Sequence, residues 1–308
     1  MDLLPPVTAA VEEQTRALRD ACGARVLDDL SVLAVRGRDR ASWLNGLVTN
    51  DTRALDAGRS AYAAAIAVKG KILTDLFVHA RADELLLVMP AARVDEVSTH
   101  FDRYIVMEDV ALARVDAVVL SLQGPTAAEV SARLGERFTA DRLGRGGADV
   151  VVTPERADEV AAALRALVGE GAVTAASPEA WEAVRVASAV PAFGVDFDGS
   201  NFVQEASITP RAVSFNKGCY LGQEVVCRLE MRGHVQRLLV GLELPGDPPR
   251  RGDAVTSDGA EVGAVTSAAR APGGGSVALA MVKWAAVDKA LPLAVNGVGA
   301  TARKAHGA

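Results

Sequence analysis

Cysteine, histidine and aromatic residues are scarce in this 308-residue chain: three Cys, four His, and Phe, Trp and Tyr at 4% together. Three cysteines cannot form a disulfide framework without leaving one over, and so few suit a reducing compartment. His79, His100, His234 and His306 are scattered, and neither Cys22 nor the pair Cys219 and Cys227 makes a C-x-x-C. A metal centre held by this chain alone is therefore not expected. No excess of positive charge exists either: 33 Lys and Arg stand against 39 Asp and Glu, a net charge of −6. That disfavours a general nucleic-acid binder, which needs a basic face to displace counterions. No run approaches 18 uninterrupted apolar residues, so no membrane span is expected. The start, Met1-Asp2-Leu3-Leu4-Pro5-Pro6, lacks the basic and apolar segments of a signal peptide, and the expected location is cytoplasmic.

What is present is ordinary globular composition, 50% hydrophobic and 23% charged, at a length of about two domains of roughly 150 residues each. Three regions read differently. Up to about residue 113 the pattern predicts a helix from Val11 to Cys22 closed by Gly23, and a strand from Ser31 to Val35. A hairpin follows, with strands 61–68 and 72–79 split by Lys69-Gly70-Lys71. A strand over 84–89 and a helical face at Val94, Val97, Phe101 and Ile105 complete the region. From about 114 to 195, strands at 117–123 and 150–153 alternate with helices opened by Pro125, Pro154 and Ser177-Pro178, a small α/β layer. After about 235 the chain reads as all-β, with a turn at Asp258-Gly259 and dense loops, a small barrel.

Between the second and third regions, residues 211–237 hold five cations (Arg211, Lys217, Arg228, Arg232 and Arg237) and two glutamates. This +3 patch on an acidic chain is either a solvated helix face or a site for a specific anion. The same stretch carries Lys217-Gly218-Cys219-Tyr220-Leu221-Gly222-Gln223-Glu224. A helix predicted over 223–230 places Cys219 near its start, where unpaired N–H groups and Lys217 would favour a thiolate. The alternative is that Cys219 is a small buried hydrophobe.

Two further residues stand out on physical grounds. Asp75 shares a strand face with Leu73 and Phe77, and a carboxylate on an apolar face needs a partner or a ligand. The opposite face is also apolar, so Asp75 either faces a site or points to solvent. Trp181, near the start of the helix after Ser177-Pro178, either packs that helix on the sheet or offers an aromatic platform.

The octapeptide 217–224 resembles the signature of the YgfZ family of folate-binding proteins, relatives of the glycine-cleavage T protein. Trp43-Leu44-Asn45-Gly46-Leu47-Val48-Thr49-Asn50-Asp51 is similar to the superfamily's F-L-Q-G-x-x-T-N-D run. Lys69 to Leu76 is similar to its hairpin, and Gly259 to Ser267 to the G-x-x-V-G-x-V-T-S of its barrel. The resemblance spans most of the chain and implies an α+β fold of three modules around a central channel that admits tetrahydrofolate, with a C-terminal β-barrel. It implies residues 1–113 plus 196–234 as the first module, 114–195 as a second, ferredoxin-like module, and 235–308 as the barrel. The implied role is that of an accessory protein for assembly or repair of iron–sulfur clusters, including those of enzymes that modify tRNA. Its partners would be a reduced folate and iron–sulfur enzymes or cluster carriers, without direct contact to nucleic acid or membrane.

On this resemblance Cys219 and Lys217 are the reactive pair. Trp181, Asp75, Gln223 and Arg228 hold the folate, with Arg228 on its glutamate tail. The alternatives are a tetrahydrofolate-dependent aminomethyltransferase and an interaction protein that keeps only the fold. Two departures count against the transferase. The hairpin's pair of aspartates is reduced to Asp75, with Thr74 in the first place. Val184 to Pro191 is similar to L-R-[LI]-E-A-G-x-P, but the pterin-binding Glu of the T protein is Ala187 here, with Glu205 a neighbouring substitute. Leu30 stands where some YgfZ proteins carry a second Trp.

Overall fold

The structure, a computed structural model, describes residues 3–307; Met1, Asp2, Ala308 and the Arg232 side chain lie outside the described residues. The chain begins with α1 (Val11–Asp20), β1 (Gly23–Leu27), β2 (Leu30–Arg36), α2 (Arg40–Asn45), β3 (Ser60–Ile66), β4 (Ile72–Ala80) and β5 (Glu84–Pro90). It continues through α3 (Val94–Asp102), β6 (Ala111–Val115), β7 (Val118–Gln123), α4 (Ala127–Ser131), β8 (Phe138–Thr139), β9 (Gly147–Val152), α5 (Ala157–Gly169), β10 (Thr174–Ala175) and α6 (Pro178–Ala187). A long connection holding α7 (Thr209–Ala212) and α8 (Gln223–Arg232) leads to β11 (Arg237–Leu244), β12 (Ala254–Ser257), β13 (Ala260–Arg270), β14 (Ser276–Lys283), α9 (Trp284–Asp288), β15 (Leu293–Val295) and β16 (Val298–Arg303).

Two five-stranded sheets, β3-β4-β5-β2-β6 and β10-β1-β7-β9-β8, lie face to face. The alternation of side chains along each strand shows how. Leu33, Val35, Leu85 and Leu87 turn outward onto α2 and α3, while Val32, Ala34, Leu86 and Val88 turn inward. In the second sheet Leu120, Leu122, Val150 and Val152 face α4 and α5, while Val119 and Val151 turn inward to the same shared core. Both faces of both sheets are covered, which is why these strands read as continuous apolar runs. The third module is a closed six-stranded barrel, β11-β14-β13-β12-β15-β16, sealed by pairing of β16 with β11. Its β12–β13 hairpin turns at Asp258-Gly259, both with positive φ, as the sequence predicts.

The start of the chain departs from expectation. Gly23 does not close α1 in a left-handed cap. It opens β1, pairing with Gln123 on one side and Thr174 on the other. A five-residue strand directly after a helix offers too short a pattern to separate from a helix end. As a result α1 and β1, read as part of the first region, lie with the second sheet.

The connection from 188 to 222 is anchored by a buried ionic hub. Arg185 on α6 donates to Asp196 at 2.6 Å, to the Val190 carbonyl at 2.6 Å, and to Ser267 of the barrel at 2.9 Å. Asp196 in turn accepts from Thr266 and Ser267. Among the described residues no helix is long and apolar enough to cross a membrane.

Candidate functional site

At the rim of the core shared by the two sheets lies a cavity of about 170 Å³. Trp181 and Leu30 form part of its apolar wall, with Phe77, Val88 and Phe193. Trp181 is brought there by α6, which starts at Pro178 and is capped by the Ser177 hydroxyl accepting from the Ala180 N–H at 3.2 Å. Arg185 follows one turn later and lines the same cavity, as i and i+4 positions must.

Asp75 faces the cavity from β4. The hairpin register sets Tyr62 opposite Phe77 and Ala64 opposite Asp75, so Tyr62 and Asp75 are diagonal neighbours. The Tyr62 hydroxyl donates to the Asp75 carboxylate at 2.7 Å. Burial raises the Asp75 carboxyl above its ordinary value, opposed by the Tyr62 hydrogen bond and by Arg142 and Arg211. Burial likewise lifts the Tyr62 hydroxyl well above its usual range. The result is a carboxyl whose proton is held more firmly than in water, on the wall of a cavity, a setting in which a carboxylic acid serves as proton donor or acceptor.

Four arginines complete the lining. Arg142 lies 4.4 Å from the Phe77 ring centroid and is held by the buried Asp149 through Nε at 3.0 Å and Nη2 at 2.6 Å. Asp149 also contacts His79, whose Nε2 lies 3.2 Å away and whose Nδ1 is 2.7 Å from the Ser60 hydroxyl. Burial works against the Asp149 charge, but Arg142 and His79 together hold its carboxyl well below the usual range. Arg185 is bound in the hub described above. Arg25, from β1, lies 5.8 Å from the Trp181 ring centroid, and Arg211, from α7, lies 5.2 Å from that of Tyr62. The Asn50 side-chain amide fixes this last pair, donating to the Tyr62 carbonyl at 2.8 Å and the Arg211 carbonyl at 3.0 Å. Thr49 ties the same elements, donating to the Ala212 carbonyl at 2.6 Å. The Thr49-Asn50 run is thus a clamp between the hairpin and α7.

The other candidates lie apart from this cavity, none of them in its lining. Cys219 is exposed, three residues before the Gly222 that caps α8. Lys217 is buried and does not serve the thiol as the sequence suggests. Its ammonium donates to the Val48 and Asn50 carbonyls, both at 2.7 Å, and burial pulls its pKa down to about 8. The cation beside Gly218 is Arg53, whose guanidinium lies 3.9 Å from where a Cβ would stand. Gln223 accepts from the Tyr220 N–H at 3.3 Å, a local contact at the start of α8. Arg228 is exposed on α8. Cys22 is buried, its thiol pushed up to about 12.

Ala187 is displaced from the cavity too. Two residues beyond Arg185, it faces a separate cleft with Arg145 and Arg303. Its small side chain therefore takes nothing from the lining around Asp75. Glu205 is committed elsewhere, accepting from the Phe202 N–H at 3.0 Å and pairing with Lys71 at 3.6 Å. The residues that sequence reasoning missed are Tyr62, Arg25, Arg142, and Arg211 as a cavity residue. The available signal was Asp149 and His79, polar side chains within apolar strands that each demand a buried partner. Among the described residues no group of three His, Cys, Asp or Glu side chains is placed to hold a metal ion.

Comparison with known proteins places residues 5–144 in the family described as GCVT N-terminal domain and residues 237–306 in that of the glycine cleavage T-protein C-terminal barrel domain. An aminomethyltransferase of Geobacillus kaustophilus is 27% identical over 326 aligned residues, covering 96% of this chain and 88% of that protein. The tRNA-modifying protein YgfZ of Sodalis glossinidius is 27% identical over 249, covering 74% and 73%. The crystal structure of glycine cleavage system aminomethyltransferase T from Bartonella henselae shares the fold, with a TM-score of 0.82 at 22% identity over 96% of this chain and 89% of that one.

Proposed function

The chain belongs to the glycine-cleavage T superfamily, and from that premise we propose that it binds a reduced folate, tetrahydrofolate or a close relative, in the cavity between its two sheets. The observation that carries this reading is the half-buried Asp75–Tyr62 pair beside the Trp181 wall. A reduced pterin has a planar pyrimidine ring with hydrogen-bonding edges, and it fits an apolar slot with few polar anchors. Asp75 would hold or exchange a proton with a ring nitrogen, Tyr62 would orient the carboxyl, and Trp181 would cover a face of the ring. Fluorescence titration of the tryptophans with tetrahydrofolate tests this. Saturable quenching in the wild type, weakened at least tenfold in Trp181→Ala, is expected. No binding at millimolar ligand overturns it.

For the role that the bound folate serves, we propose an accessory protein for assembly or repair of iron–sulfur clusters, with Cys219 as its reactive thiol. Support comes from the octapeptide 217–224 and from the exposure of Cys219 at a surface open to a partner enzyme or cluster carrier. The relative named a tRNA-modifying protein suits an indirect link to tRNA modification. Deletion of the gene, complemented with wild type or Cys219→Ser, is the test. Activity of several iron–sulfur enzymes should return only with the wild type, and full rescue by Cys219→Ser overturns the proposal.

A second reading is tetrahydrofolate-dependent aminomethyl transfer. It is favoured by relatives of that name that span nearly the whole chain, and by Asp75 standing inside the cavity rather than in solvent. Ala187 argues against it less than the sequence suggests, because that position faces another cleft. Purified protein mixed with aminomethyl-loaded carrier and tetrahydrofolate decides between the two. Turnover of about 1 s⁻¹ or more favours the transferase.

A further inference from the structure

The barrel carries a second cavity, of about 560 Å³, that shares no lining residue with the one around Asp75. It opens at the barrel's mouth, between β11, α9 and the connection that holds α7. Its apolar wall is the barrel core continued. Val240, Ala286 and Leu293 are buried members of that core, and Leu238 and Val287 pack against them. Leu291, just past α9, forms an apolar rim and is left 37% exposed. Protein interiors are close-packed, and an apolar opening of this size at a barrel mouth has the form of a small-molecule site.

The polar groups of the wall point the same way. Gln204 Oε1, Thr209 Oγ1 and Arg303 Nε are buried without a hydrogen-bond partner, and all three residues line this cavity. No residue around the Asp75 cavity carries such an orphan. Thr209 is only 7% exposed, so bulk water does not serve its hydroxyl. Buried polar groups are nearly always paired, and three orphans on one wall mark a place where a bound group would complete them. Between them they offer an acceptor (the Gln204 carbonyl), a donor (the Arg303 N–H) and a hydroxyl that can do either.

The charges decide the class of that group. Arg303 is balanced by Glu243, whose carboxylate stands 3.8 Å from Nε, too far for a hydrogen bond. The remaining charges of the lining are Lys304 and Glu230, one of each sign. A ligand with a net charge would therefore lose its hydration with no surplus counter-charge to replace it. We propose that the barrel mouth binds a neutral amphiphile: an apolar body lying on Leu238, Val287 and Leu291, and a head, such as a primary amide, that both donates and accepts hydrogen bonds. The head would meet Thr209 and Gln204. This site is independent of the folate reading.

Three probes with one apolar body test it: 4-phenylbutanamide, 4-phenylbutyrate and 4-phenylbutylamine, titrated into the full chain by saturation-transfer NMR. The amide should bind with a Kd below about 1 mM, in keeping with a ligand of its size. It should be preferred over either ion by about tenfold or more. Leu291→Asp, on the exposed rim, should abolish binding while the thermal midpoint stays near that of the wild type. Thr209→Val, which keeps the shape and removes the orphaned hydroxyl, should raise the thermal midpoint of the free protein and weaken the amide by about threefold to tenfold. No binding of the amide at 10 mM, on the order of ten times that limit, overturns the proposal. Equal affinity for the three probes, or amide binding that survives Leu291→Asp, overturns it as non-specific adsorption. A dimer in sedimentation that Leu291→Asp breaks, without amide binding, gives the cavity to a second copy of the chain and overturns it too.

Discussion

The Tyr62 hydroxyl and the Asp75 carboxylate are 2.7 Å apart on adjacent strands, and the hydrogen bond between them opposes the burial that raises the Asp75 carboxyl. Tyr62→Phe removes that donor and should push the Asp75 carboxyl higher still. Because its folded value is raised, ionisation of Asp75 costs stability as pH climbs through that value, and Tyr62→Phe should show this loss at higher pH than the wild type. Asp75→Asn should abolish it. Thermal unfolding across a pH series reads both. Under the transferase reading, Asp75→Asn also lowers turnover by about 10²- to 10⁴-fold, the usual contribution of a general acid or base.

Asp149→Asn should cost about 3–5 kcal/mol near neutral pH, since it leaves Arg142 buried without its counter-charge. The Asp149 carboxyl is held below its ordinary value near 3.8, so its stabilisation is present above that value and is lost as pH falls through the folded one. Urea unfolding of wild type and variant should therefore converge at strongly acid pH. A difference that stays constant with pH contradicts this.

Lys217 gives an alkaline signature. Its folded pKa of about 8 lies below the ordinary 10.5, so the unfolded chain binds the extra proton between those values. Stability should gain a positive contribution as pH rises from about 8 to 10.5. Lys217→Met should be less stable throughout, because the Val48 and Asn50 carbonyls lose their donor, and it should lack that rise. Denaturant unfolding at several alkaline pH values measures the slope.

The cysteines should separate by reactivity. Cys219 is exposed and should react with a disulfide reagent in the native protein, whereas Cys22, at 1% exposure and with its thiol pushed up to about 12, should react only on unfolding. Cys219→Ser should change stability by less than about 0.5 kcal/mol. Cys22→Ser should cost about 1–3 kcal/mol by burying a hydroxyl without a planned partner.

The elements with strong local grammar were legible in the chain. The hairpin over 61–79, the Ser177-Pro178 helix start and the Asp258-Gly259 turn are each set by residues within a few positions of one another, and each is where it was expected. Strand β1 was not, because Gly23 after a helix satisfies the pattern of a cap as well as that of a strand start. At the site, Asp75 and Trp181 were legible as a polar residue on an apolar face and an aromatic at a helix start. Arg25, Arg142 and Arg211 were not, because what brings them to the cavity is packing on Trp181, Phe77 and Tyr62, residues far along the chain. Lys217 misled for a related reason. Its place in sequence next to Cys219 said nothing of its direction, which the carbonyls of Val48 and Asn50 determine.

Strand β1 also bears on how the protein can be taken apart. It lies between β10 and β7, in the interior of the second sheet, yet it comes from the first thirty residues of the chain. A fragment cut at the apparent boundary near 114 would carry β7, β9, β8 and β10 without the strand that joins them, and would present two unpaired edges to its neighbours in solution. Nor can the nascent second sheet be completed from its own stretch of sequence, because its interior strand is synthesised about ninety residues before the strand it pairs with. The first two modules are separate in their sheets but inseparable in their chain, and any exchange of one for a homologous part must carry residues 11–27 with the second.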